Sequence, residues 1–160
     1  ARRRMGASCS ASFSENIKHL QATSNVEEEP AANHRLAKRI FEACRLGEIE
    51  ETRRCLAEGV SANIRDEHGW MPLHYSASRG DLEVCRLLLE CQGDANVALP
   101  DLSTPLMLAV EEAHLKVATL LLESGALTKV KDEDGFTAMG RCDANIKEEF
   151  RRLTSSASSE

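Results

Sequence analysis

With 160 residues, 42% of them hydrophobic and 29% charged, the chain is sized for one small domain carrying a tail. No apolar run approaches the roughly 20 residues that cross a bilayer, and aromatic residues at 4% are fewer than a sandwich or barrel of this size would bury, whereas Ala and Leu suit closely stacked short helices. Residues 1–40 carry 7 Lys/Arg against 4 Asp/Glu and residues 41–160 carry 13 against 22, so a head of +3 precedes a body of −9, which argues against nucleic acid as the body's partner and for a basic or mixed protein surface.

The opening ARRRMGASCSASFS is basic, rich in small residues and free of acids until Glu15. Three readings stand side by side: an unstructured terminus, an Arg- and Ser-rich transit segment, and a lipidation signal. In the third, initiation at Met5 exposes Gly6 for myristoylation, with Cys9 receiving a second acyl chain. Phe13, Ile17 and Leu20 have helical spacing behind Ser14, which predicts a short amphipathic helix over 14–22, too short to be stable alone in water. Residues 23–34 are polar and read as linker.

The folded body is placed at 35–153. Leu36, Ala37, Ile40, Phe41 and Cys44 form an apolar stripe, Gly47 ends that helix, and a second helix runs from about Ile49 to Glu58. Arg53 and Arg54 stand where the next unit has Arg86 and Leu87, so residues 35–65 read as a wettable N-terminal cap.

From Asp66 the chain repeats. A shift of 33 residues lays Pro72 on Pro105, Leu73 on Leu106 and Leu87-Leu88-Leu89 on Leu120-Leu121-Leu122; Asp66 and Gly69 reach Asp132 and Gly135 on a second shift. A fixed period of this length marks stacked repeats, here units 66–98 and 99–131. Pro72 and Pro105 sit at first helical positions, where a missing N–H costs nothing, and Thr104 is set to cap its helix while Met71 is not. Gly69, Pro72-Leu73-His74, Ala77, Gly80 and Gly93-Asp94-Ala95-Asn96 resemble the ankyrin repeat with its T-P-L-H-x-A hallmark. The resemblance implies an all-α solenoid of helix-turn-helix units joined by β-turn fingers. It also implies that His74 hydrogen-bonds backbone between adjacent turns, a bond that Met107 and Gly140 cannot repeat in the units that follow.

The last unit, 132–153, keeps Gly135 and Thr137, replaces proline with Ala138, and retains Phe150 and Leu153 among Glu148, Glu149, Arg151 and Arg152. It reads as a polar C-terminal cap, with 154–160 as a flexible tail.

The register also bears on function. Cys44, Cys55 and Cys85 fall on core positions and no CxxC pair occurs, which favours free thiols in a reducing, cytoplasmic compartment over disulfides, with a membrane-associated or organellar setting if the tail is a signal. The five histidines form no ligand pair at helical spacing, so neither a metal nor a cofactor is expected. No phosphate-cradling loop, G-x-S-x-G turn or H-E-x-x-H motif is present, and the chain reads as non-enzymatic.

What remains is a binding module. In the fold that the resemblance implies, turn tips and the exposed side of each first helix line the concave face. This assigns Glu67, His68, Trp70, Ser78 and Arg79; then Pro100, Asp101, Ser103, Glu111 and Glu112; then Glu133, Asp134 and Phe136. Trp70, Ser103 and Phe136 share a column, and Trp is the residue most enriched at interface hot spots. Trp70 either protrudes as an anchor or folds down over its own turn. The expected function is that of an adaptor, monomeric alone, gripping a basic protein; an acylated peripheral-membrane adaptor and an accessory subunit of a larger assembly are the alternatives.

Overall fold

A computed structural model describes residues 30–157, and these hold eight helices and no strand. They are α1 (Pro30–Leu46), α2 (Ile49–Ala57), α3 (Pro72–Arg79), α4 (Leu82–Glu90), α5 (Pro105–Glu111), α6 (Leu115–Glu123), α7 (Ala138–Arg141) and α8 (Ala144–Ala157). Successive pairs stack, so that α1, α3, α5 and α7 form one layer and α2, α4, α6 and α8 a second. Between pairs the chain projects as fingers, closed by Asp66 N–H to the Trp70 carbonyl (2.8 Å), Leu99 to Ser103 (2.9 Å) and Asp132 to Phe136 (2.9 Å).

The core lies between the layers. Ile40, Cys44, Cys55, Leu73, Ala77, Cys85, Leu88, Leu106, Val110, Leu121 and Phe150 are buried there. Small residues at Ala77, Cys85, Ala109 and Ala118 let helices only 7 to 9 residues long approach closely. Such helices are marginal alone, and burial of their apolar faces supplies most of their stability.

Every helix from α1 to α6 ends in the same bond, in which the residue after the left-handed one donates back across the final turn. Glu48 donates to Ala43 (2.8 Å), Val60 to Cys55 (3.1 Å), Asp81 to Ser76 (3.0 Å), Gly93 to Leu88 (2.8 Å), His114 to Ala109 (2.7 Å) and Ala126 to Leu121 (2.9 Å). The left-handed residues form columns in the 33-residue register: Gly47, Gly80 and Ala113 end first helices; Gly59, Gln92 and Gly125 end second helices; Gly69, Leu102 and Gly135 tip the fingers. Each column lacks glycine once, and Ala113, Gln92 and Leu102 are the positive-φ non-glycine residues among those described.

Side-chain amides stitch neighbouring units. Asn63 donates to the Gln92 carbonyl (2.8 Å) and accepts the Asp94 N–H (2.9 Å); Asn96 repeats both bonds with Gly125 (3.0 Å) and Leu127 (2.7 Å). The hydroxyl of Thr104 accepts the Met107 N–H (3.4 Å), the cap that sequence predicts.

Two boundaries differ from the sequence reading. Helix α1 begins at Pro30, not near Arg35, and α8 continues to Ala157, past the position where a tail is expected. Both extensions lack large apolar residues and continue a helix already anchored by its apolar stripe, so periodicity of apolar residues alone does not mark them. The expected helix at 14–22, and Gly6 and Cys9, lie outside the described residues.

Candidate protein-binding surface

The fingers and the first helices of the pairs share one face. Asp66 organises the first finger: its Oδ1 accepts the N–H groups of His68 (2.9 Å) and Trp70 (2.8 Å), while its Oδ2 accepts the Tyr75 hydroxyl at 2.6 Å. Burial alone would raise this carboxyl, but these donors hold it below the usual aspartate range. Burial and the same bond push Tyr75 up to about 12.

The third finger repeats the arrangement with a different donor. Asp132, buried at 4% exposure, takes the Phe136 N–H (2.8 Å) on Oδ1 and Arg141 Nε (2.5 Å) on Oδ2. Burial opposes ionisation here too, yet the Arg141 guanidinium holds the carboxyl down. Tyr75 and Arg141 occupy one register position, and between them Leu99 and Leu108 replace the polar pair with an apolar one.

Trp70 packs its ring on Tyr75, with centroids 4.8 Å apart and planes tilted by 37°, and presents an edge to His74 at 6.0 Å. Phe41 meets Tyr75 edge-on at 6.1 Å. Trp70, Tyr75 and Phe41 are each half-buried, so together they make an aromatic shelf with one side wet. Under the shelf lies His74, fully buried: its Nδ1 accepts the Met71 N–H (3.2 Å) and its Nε2 donates to the Val97 carbonyl (3.3 Å) in the next turn. With both nitrogens committed, and burial lowering its pKa to about 4, this imidazole is a strut.

Of the residues singled out from sequence, Glu67, His68, Arg79, Asp101, Glu111, Glu112, Glu133, Asp134 and Phe136 are exposed on this surface, as is Pro100. Ser78 is half-buried, and its carbonyl engages His114 Nε2 at 3.1 Å. Ser103 is a correction: it is 1% exposed, not available to a partner, and its hydroxyl (2.9 Å) and N–H (3.0 Å) are both spent on the Asp101 carboxylate. The Trp70, Ser103 and Phe136 column therefore does not present three open positions. Trp70 is half-covered, Ser103 is sealed, and Phe136 stands out at 53% exposure.

Charges on the face are partly spoken for. Glu111 pairs with Arg141 Nη1 at 3.0 Å, and the Asp101 carboxylate accepts the Ser103 N–H and hydroxyl. Arg79 Nε sits 2.7 Å from Asp81 Oδ2 without an aligned hydrogen bond, while its Nη1 donates to the Arg45 carbonyl (3.2 Å). Sequence reasoning missed Tyr75, Phe41, Asp66 and Arg141. The signal for Tyr75 was available, since it lies three residues before Ser78 and so on the same side of its helix.

A family model described as ankyrin repeats, in three copies, matches residues 40–139. An ankyrin repeat-containing protein of Schizosaccharomyces pombe is 34% identical over 101 residues, which is 62% of this chain and 47% of that protein. The human ankyrin repeat and SOCS box protein 3 is 31% identical over 87 residues, 52% of this chain and 17% of its own length. The 26S proteasome non-ATPase regulatory subunit 10 of Dictyostelium discoideum is 34% identical over 89 residues, 54% of this chain and 38% of that subunit. This chain thus spans less than half the length of each of these relatives.

Proposed function

Because the chain belongs to the ankyrin-repeat family, we propose that it acts as a non-catalytic interaction module that grips a protein segment across the face built by its fingers and first helices. The observation that carries this reading is the shelf of Trp70, Tyr75 and Phe41, half-exposed and rigidly backed by His74 and Asp66. Pre-organised aromatics with one wet side lose little conformational freedom on binding and shed much surface. Around the shelf, the exposed carboxylates of Glu67, Asp101, Glu112, Glu133 and Asp134 favour a partner with Lys or Arg flanking an apolar anchor. Glu111 contributes less to that attraction, being paired with Arg141.

Trp70 is the sole tryptophan, so its fluorescence reports on this surface alone. The test is selection of binders from a displayed library of extended peptides, followed by titration of the winners against that signal in the parent and by calorimetry in the parent and in Trp70→Ala, which lacks the fluorophore. Enrichment of peptides with an apolar residue between basic ones, and a loss of about 2 kcal/mol or more in affinity for Trp70→Ala with its melting temperature retained, support the reading. Selected peptides that bind Trp70→Ala as tightly as the parent overturn it.

A further inference from the structure

The run Arg151-Arg152-Leu153-Thr154 occurs in the last turns of α8, and Arg-Arg-x-Ser/Thr is found nowhere else in the chain. Two arginines at the third and second positions before a hydroxyl form the cation pattern that protein kinases with acidic substrate clefts read. Thr154 also occupies a defined place in the fold. It borders two shallow surface depressions, both of which Lys129 lines as well; Lys131 lines one of them, beside Thr128, Thr137 and Phe150. From these placements we propose that Thr154 is a phosphorylation site, and that its phosphate docks on Lys129 and Lys131 to clamp α8 onto the loop after α6.

Access requires only the end of α8 to open, since a kinase takes its substrate extended. Phe150, fully buried, anchors the helix one turn earlier. Beyond it the Thr154 hydroxyl bonds back to the Arg151 carbonyl (3.0 Å), and the Ser155 hydroxyl to the carbonyls of Arg151 (3.0 Å) and Arg152 (2.9 Å). Hydroxyls that bond back in this way compete with the backbone ladder, so the last turn frays at small cost. The Thr154 oxygen then attacks the γ-phosphorus of ATP held by the kinase; the new O–P bond forms as the bond to the ADP oxygen breaks, and the hydroxyl proton leaves to the kinase's base.

The product carries about two negative charges near the C-terminal end of a helix, where the helix dipole disfavours them. Within α8, Arg151 lies one turn before Thr154 but is held by Glu148 at 3.1 Å, and Arg152, two residues before it, lies on another face of the helix. The compensating charge therefore comes from across the depression. Lys129 and Lys131 supply it, and a phosphate bridging two elements gains charge-assisted hydrogen bonds that a lone helix cannot offer.

The experiment treats the full chain with a purified basophilic kinase and ATP, maps the site by peptide mass, and compares melting before and after. Expected are one phosphate on Thr154, none on Thr154→Val, loss of incorporation in Arg151→Ala/Arg152→Ala, and a melting temperature raised by about 4 °C or more. In Lys129→Ala/Lys131→Ala the phosphate still enters but melting no longer rises. Failure of Thr154 to take phosphate, incorporation confined to other hydroxyls, or a melting shift that is the same with and without the two lysines overturns the proposal.

Discussion

His114 packs its imidazole flat against the backbone of Gly80, so that a Cβ placed on that glycine would lie 2.5 Å from Nδ1. Its Nε2 engages the carbonyl of Ser78 at 3.1 Å, which prevents the ring from retreating. Gly80 also holds φ at +83°, where an L side chain is strained. Gly80→Ala is therefore expected to cost roughly 2–4 kcal/mol, strain and overlap combined. In the next unit Ala113 holds φ at +60° with an exposed side chain, and Ala113→Gly is expected to stabilise by about 0.5–1 kcal/mol. Urea midpoints of the two variants test both signs; a Gly80→Ala protein as stable as the parent would show that the ring can move aside.

The architecture was legible because backbone needs recur every 33 residues: proline at Pro72 and Pro105, left-handed residues at Gly47 and Gly80, apolar runs at Leu87 and Leu120. Side-chain partnerships were less so. The bond of Asp66 to Tyr75 and that of Asp132 to Arg141 are one device built from a phenol and a guanidinium, and nothing in residue type announces that the two are equivalent. Ser103 looked open because the 33-residue register places it at a turn tip. Its fate depends on Asp101 two residues earlier, a local hydrogen-bonded turn that competes with exposure. Trp70 divided along the same line, since whether a turn aromatic protrudes depends on what the following helix offers it, here the ring of Tyr75.

Acid should loosen the stack through His74. Its folded pKa near 4 lies below the ordinary 6.5, so between these values the unfolded chain binds a proton that the folded chain refuses. The stability of the neutral strut is thus full above about pH 6.5 and is lost as pH falls toward 4, by roughly 2–3 kcal/mol. Asp66 and Asp132, both held below their ordinary range, add a further loss at lower pH as they are forced to protonate. Urea unfolding at steps from pH 7.5 to 4.5 gives the slope, and His74→Gln should flatten it across the upper window. An unchanged slope in that variant would assign the dependence elsewhere.

Thiol reactivity should follow the layers. Cys44, Cys55 and Cys85 are fully buried, and burial pushes Cys44 up to about 11 and Cys85 to about 12, so neither access nor thiolate is provided. Cys91, half-buried at the end of α4, should react first among the described cysteines. Mass spectrometry after brief alkylation at pH 8 reads the order. Fast labelling of Cys55 would place the boundary between cap and core wrongly.

Leu102 tips the second finger at φ +63°, where the neighbouring fingers use Gly69 and Gly135, and half of its side chain is in water. Strain without compensating burial is a cost to the free protein, and such costs gather where another molecule is met. Leu102→Gly should therefore move two measurements in opposite directions. Unfolding should become harder by about 1 kcal/mol, since glycine accepts the left-handed backbone. Binding of selected peptides should weaken, since the fingertip loses its apolar contact beside the carboxylates of Asp101 and Glu133. Trp70→Ala separates the causes: it should reduce binding without raising stability. If Leu102→Gly gains stability and binds with parental affinity, contact with the partner stops at the aromatic shelf and does not extend to the finger tips.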